Sequence, residues 1–307
     1  MHRVSGVTVR EAVKPLPADV RAILLAGYRD KRPVRCEHEG TDLTGGTGNR
    51  GGTMSDVRIG VSGGDVRCYL ARPAGSGPWP GVLVLHDALG MTPDLRAQAD
   101  WLAGAGYLAL APDLYSTGSK LRCLVSTFRE LASGHGQVFA NADACRSWLA
   151  GQEDCSGHVG VIGYCMGGGF ALLLAPGHGF EAASANYGMV PKDAAEFFRQ
   201  SCPVVGSYGA RDRTLSGAAG KLTVALEAAS VDHDVKEYPG AGHSFLNDHP
   251  GTLATLRGAA GRDAALPRFF AVFNAVAGPL MGAGYHEPSA VDARRRIIEF
   301  FDRHLKA

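Results

Sequence analysis

The period of apolar and polar positions changes repeatedly along the chain. Asp56–Val61 and Val66–Ala71 flank a Ser-Gly-Gly-Asp turn at 62–65 and predict an antiparallel hairpin. Gly81–Leu85, GVLVL, is a continuous apolar run of the kind buried on both faces of a sheet. A helix is expected after it, with Thr92 as N-cap, Pro93 at the first helical position, Leu95, Ala99 and Leu102 on one face, and Gly106 at its end. Strands are expected at Tyr107–Leu110, Val159–Ile162, Ala182–Tyr187, Val204–Tyr208 and Asp234–Tyr238. Helical stripes lie between them: Val138, Ala142, Cys145 and Leu149; Gly167–Ala175, stopped by Pro176; and Leu222, Ala225, Leu226 and Ala229. A final helix is read with Ser289 as N-cap, Val291, Ile298, Phe301 and Leu305 inward, and Arg294, Arg295, Arg296 and Glu299 toward water. Strands separated by helices pair in parallel through right-handed crossovers. The expected architecture is therefore α/β: a mostly parallel, doubly wound sheet with an N-terminal antiparallel hairpin and helices on both faces.

Two stretches fall outside this rhythm. Thr41–Thr53, TDLTGGTGNRGGT, has linker composition. Residues 1–53 are therefore expected to be a flexible extension, and 54–307 the folded domain. Between the last strand and the final helix, an insertion at about 248–288 carries an expected aromatic helix, Leu266–Ala277, with Phe269, Phe270 and Phe273 along it.

Composition narrows the function classes. With 31 Lys+Arg against 30 Asp+Glu, the chain has no basic excess for nucleic acid. No apolar run approaches the ~18 residues of a membrane span, and no secretory h-region appears. Seven cysteines at irregular spacing, without a CxxC pair, fit neither a disulfide framework nor a zinc site. The expectation is a cytoplasmic protein with reduced thiols, no metal and no organic cofactor. Gly supplies 42 of 307 residues, about twice the usual share, which points to tight turns and close backbone approaches.

One such approach carries chemistry. Val159–Ile162 runs into Gly163-Tyr164-Cys165-Met166-Gly167 and then into a helix, the form of a nucleophile elbow with cysteine in the usual serine position. Small residues two before and two after the central one let strand and helix approach, and the helix N-terminus favours a thiolate. In this architecture an acid and then a histidine follow the nucleophile, each in a loop after a strand. Asp212, in Gly209-Ala210-Arg211-Asp212, and His243, in Gly240-Ala241-Gly242-His243, occupy those places. His233 opens a strand at the opposite edge, His249 lies in an irregular stretch, and His86 follows GVLVL too closely to serve as base.

The elbow, the Gly209-x-x-Asp212 loop and the loop Gly240–Phe245 resemble those of dienelactone hydrolases, a branch of the α/β-hydrolase superfamily. The resemblance implies an α/β-hydrolase fold with Cys165 as nucleophile, His243 as general base and then acid, and Asp212 as the group that orients the imidazole. It extends to His86–Gly90, where the family holds a glutamate near the resting thiol and this chain has Asp87, and to Pro112–Tyr115. Four residues beyond the histidine, where the family places a carboxylate-binding arginine, stands Asn247. Arg122 is a candidate for the other family arginine. The oxyanion donors expected are the backbone N–H groups of Met166 and Ala88. The implied reaction is hydrolysis of a small ester or lactone through a thioester, the substrate being the only partner implied. Asp87, Arg122, Asn247, Phe269 and Phe273 are the substrate-contact candidates. A thioesterase or peptidase on the same scaffold, or a non-catalytic thiol sensor, are the alternatives.

Overall fold

The expected hairpin forms from β1 (Met54–Val61) and β2 (Gly64–Ala71), with Ile59 facing Val66 and Val61 facing Gly64, so Gly64 and Asp65 of the expected turn belong to β2. The apolar run GVLVL forms the core of β3 (Trp79–Leu85), every residue of which after Trp79 is buried. The strands that follow are β4 (Leu108–Pro112), β5 (Cys155–Tyr164), β6 (Ala183–Asn186), β7 (Val204–Gly209) and β8 (His233–Tyr238). This computed structural model describes residues 52–62, 64–116, 120–248 and 280–306, without the side chains of 120–122. Nearly all of the expected extension 1–53, and the expected aromatic helix with Phe269, Phe270 and Phe273, lie outside the described residues.

The eight strands make one sheet in the order β1-β2-β4-β3-β5-β6-β7-β8. β2 pairs antiparallel with β1 and β4, and the rest of the sheet is parallel. Helices cover both faces because neighbouring residues of each central strand point to opposite sides. Val82 and Val84 pack with α1 (Pro93–Gly104) and α7 (Glu287–Leu305). Leu83 and Leu85 belong to the core of the other face, to which α2 (Lys120–Ser133), α3 (Gln137–Ala150), α4 (Met166–Leu174), the short α5 (Ala194–Phe197) and α6 (Ala218–Ala228) contribute buried residues. The Thr92 hydroxyl caps α1 by accepting the Leu95 N–H at 3.2 Å.

Three details differ from the sequence pattern. Residues 120–133, absent from the expected helices, form a helix that includes Arg122. α7 begins at Glu287, and Ser289, expected as its cap, is a buried first-turn residue bonded to His286 Nδ1 at 2.8 Å. On the same helix Val291 is exposed and Arg296 is buried. The Arg296 guanidinium donates to the Asp234 carboxylate and to the Tyr238 hydroxyl. These partners on β8 satisfy a charge that helical periodicity alone assigns to water.

Candidate active site

β5 ends at Tyr164 and α4 begins at Met166, so Cys165 alone makes the reversal at φ 54°, ψ −112°. A residue other than glycine is strained there and persists only when its surroundings hold it. They do: the Cys165 N–H donates to Asn186 O at 3.0 Å, and the Asn186 side chain donates to Gly163 O at 3.1 Å. A Cβ on Gly163 would lie 1.9 Å from Gly167 O, and one on Gly168 2.5 Å from Asn186 O. The elbow therefore closes only around glycine at those two positions. At the first position of α4 the Met166 N–H has no acceptor within the helix, which leaves it available to an anion.

β7 delivers Asp212 and β8 delivers His243 to this edge of the sheet. Asp212 Oδ1 accepts the Thr214 N–H at 2.9 Å and the Thr214 hydroxyl. Asp212 Oδ2 accepts from His243 Nδ1 at 2.6 Å. Both side chains are buried. The histidine backbone is held as well, its N–H donating to Met281 O at 2.8 Å and its carbonyl accepting the Gly284 N–H at 3.1 Å. Burial opposes a charged imidazole, but the charge of Cys165 and the hydrogen bond to Asp212 outweigh it and raise His243 to about 10. Burial also pushes the Asp212 carboxyl up, and its bonds to His243 and Thr214 overcome this to hold it below the usual carboxylate range. His243 Nε2 has no partner at ordinary hydrogen-bond geometry, while the Cys165 sulfur is near enough for its charge to act on the ring. A loosely aligned contact of this kind is usual for a base and nucleophile without substrate.

The loop after β3 completes the surroundings. Leu114 N–H donates to His86 Nε2 at 3.1 Å, so that nitrogen carries no proton and Nδ1 is the donor to Asp87 O, 2.5 Å away. The Gly90 N–H reaches the same carbonyl at 3.2 Å. In a trans peptide the C=O and the following N–H point in opposite directions, so the Ala88 N–H is turned away from His86. The Tyr115 hydroxyl donates to Ala88 O at 3.2 Å and lies 3.8 Å from Met166 Sδ, touching both residues that carry the expected oxyanion donors. Burial, then the charges of Asp87 and Cys165, raise Tyr115 well above its ordinary value. Asp87 Oδ1 accepts the Leu89 N–H at 2.7 Å.

Cys165, Asp212, His243, Ala88, Met166 and Asp87 are thus assembled at one place. Asn247 is also close by, but buried, with its amide bonded to Tyr187 and Asp94. The Arg122 side chain, Phe269 and Phe273 lie outside the described residues. Sequence reading did not single out Tyr187 or Asp94. Tyr187 read as the end of a strand, Asp94 lies in the first turn of α1, and nothing in local pattern joins them.

The dienelactone hydrolase family model matches residues 66–305. A protein of Escherichia coli K12 described as "Putative carboxymethylenebutenolidase" is 30% identical over 260 residues, 79% of this chain and 84% of that one. The carboxymethylenebutenolidase of Pseudomonas putida is 28% identical over 178 residues, 55% of this chain and 75% of that one. Among solved structures, a "Putative Dienelactone Hydrolase" from Klebsiella pneumoniae superposes with a TM-score of 0.63 at 27% identity, over 83% of this chain and all of that one. No helix among the described residues is long and apolar enough to cross a membrane.

Proposed function

The chain belongs to the dienelactone hydrolase family, and from that premise we propose that it cleaves a small ester or lactone with Cys165 as nucleophile, His243 as base and Asp212 as the orienting acid. His243 Nε2 takes the proton of the Cys165 thiol to form a thiolate–imidazolium pair, and the thiolate sulfur then attacks the substrate carbonyl carbon. The oxygen that gains negative charge is met by the backbone N–H groups of Met166 and Ala88, each such donor being worth roughly 3–4 kcal/mol of barrier. Collapse breaks the ester C–O bond, and the imidazolium returns its proton to the departing alkoxide. A water that loses a proton to Nε2 then attacks the thioester, releasing the carboxylic acid and restoring the thiol. The observation that carries this reading is the bond from His243 Nδ1 to a buried Asp212, which leaves Nε2 as the accepting atom beside Cys165.

The substrate is inferred to be neutral and partly apolar. The family's carboxylate-binding arginine is Asn247 here, and its amide is engaged by protein groups. The loop after β3 adds the Asp87 carboxylate at this site, whose charge acts on Tyr115. That carboxylate disfavours a second anion. Two measurements test the proposal. Stoichiometric alkylation of one thiol is expected to abolish turnover of p-nitrophenyl acetate, and turnover that survives it sinks the cysteine mechanism. For a matched pair of esters, one with a free carboxylate and one with that group methylated, kcat/KM is expected to favour the methylated member. A tenfold preference for the anion, about 1.4 kcal/mol, overturns the substrate inference.

A further inference from the structure

Asn247 stands four residues after His243 and is 4% exposed. Its amide spans two partners of opposite demand. Oδ1 accepts the Tyr187 hydroxyl, and Nδ2 donates to Asp94 Oδ2 at 2.5 Å. The other Asp94 oxygen accepts the Asp248 N–H at 2.9 Å, so the first turn of α1 holds residues 247 and 248 together. Burial, and after it the neighbouring Tyr164, Asp94, Asp87 and Cys165, keep the Tyr187 phenol protonated and hence a donor. The Tyr187 ring packs against the His243 imidazole, with centroids 5.1 Å apart and planes tilted by 57°. Tyr187 also sits at φ 42°, a conformation that a bulky residue adopts only under restraint. Only a side chain that accepts at one end and donates at the other satisfies phenol and carboxylate at once.

We propose that Asn247 is a positioning residue, which acts through Tyr187 to fix the face of the His243 imidazole and ties the histidine loop to α1, in place of contacting substrate. The proposal rests on the reading of His243 as the base. It also explains why Asn247 and Asp94 must agree in chemistry: the pair needs one donor and one acceptor, and which residue supplies which is open to exchange.

The test is a swap. Turnover of p-nitrophenyl acetate and the unfolding temperature are measured for Asn247→Asp, Asp94→Asn, the double variant, and Asn247→Leu. Asn247→Asp sets two carboxylates at hydrogen-bond distance, and kcat is expected to fall at least tenfold with KM within twofold of wild type. Asn247→Leu, which removes both bonds, is expected to lose kcat in the same way. In the double variant the amide now at position 94 donates to the carboxylate now at position 247, which accepts from Tyr187, and kcat is expected to recover to within threefold. Wild-type kcat in both Asn247→Asp and Asn247→Leu overturns the proposal. So does a double variant as slow as Asn247→Asp, or a loss carried by KM that the swap leaves unrepaired, the mark of a substrate contact. Should Asn247→Asp fail to fold, the double variant decides alone: folded with near-wild-type kcat supports the proposal, and folded with kcat down tenfold overturns it. Cys165→Ala is run in parallel. If it retains turnover, the catalytic reading itself fails; if it is inactive while the Asn247 variants behave as wild type, only the positioning role fails.

Discussion

Replacing Asp212 with Asn keeps the shape of the side chain and isolates its role in orienting the base. Oδ1 accepts the Thr214 N–H at 2.9 Å, and Oδ2 accepts from His243 Nδ1 at 2.6 Å. A backbone N–H can only donate, so the amide oxygen of the variant takes the Oδ1 place and the amide nitrogen faces His243. Two donors then meet unless the imidazole moves its proton from Nδ1 to Nε2, the atom that has to accept the thiol proton. The lower bound on the damage is the cost of turning the amide around, which strands the Thr214 N–H against a donor. That costs about 1–3 kcal/mol, or roughly 5- to 150-fold in active enzyme. The upper bound is full occupancy of the wrong tautomer, about 10⁴-fold in kcat for triads of this geometry. We expect kcat/KM for p-nitrophenyl acetate to fall within that range, with KM nearly unchanged and the folded state retained. Raising the pH is not expected to restore activity, because the defect is the position of the proton and not its presence. A variant within threefold of wild type refutes the argument that Asp212 sets the tautomer.

Three further outcomes are expected. Cys165→Ala abolishes ester turnover with the fold intact, and Cys165→Ser is a poor enzyme, since a hydroxyl ionises far less readily than a thiol; a wild-type Cys165→Ala would discard the nucleophile. His86→Leu leaves the buried Leu114 N–H without its acceptor and removes one of the two donors to the Asp87 carbonyl, the Gly90 N–H remaining, so urea unfolding should register a loss of about 1–3 kcal/mol; an unchanged stability would mean that the Leu114 N–H finds another acceptor. Because His243 is raised in the folded state to about 10, its stabilising contribution is fully present below its unfolded value near 6.5 and is lost as pH rises through about 10. The difference in unfolding temperature between wild type and His243→Gln should therefore narrow between pH 8 and pH 10.5, and a difference that widens contradicts the assigned sign.

Much of the sheet can be read from sequence because parallel strands buried on both faces have little choice of residue. GVLVL and VGVI have no polar position to misassign. Helix α2 is harder to read: of its buried positions Leu124, Thr127 and Leu131 one is polar, and Ser126 and Arg129 stand between them. On α7, Arg296 lies between Arg295 and Ile297 and reads as solvated until β8 brings Asp234 beneath it. The positions of Cys165, Asp212 and His243 are legible because each lies just after a strand with glycine close by in sequence. What surrounds them is not, since Tyr187, Asp94 and Asn247 meet only after three separate elements have packed. Local periodicity carries no information about such a meeting.

The clamp on the histidine loop has a consequence for mutational scanning. His243 is gripped on its N–H by the carbonyl of Met281 and on its carbonyl by the N–H of Gly284, a grip made of main-chain atoms alone. Exchanging the exposed side chains of Leu280, Ala283 and Tyr285 leaves those atoms in place, whereas Met281 is buried and Gly282 (φ 53°) and Gly284 (φ 152°) hold backbone that suits glycine alone. A substitution map of those three exposed positions would look permissive, as if they were unrelated to the reaction. A change at the backbone itself, such as proline at 284, which removes the donor and cannot adopt that φ, would reveal that the segment holds the base where it works.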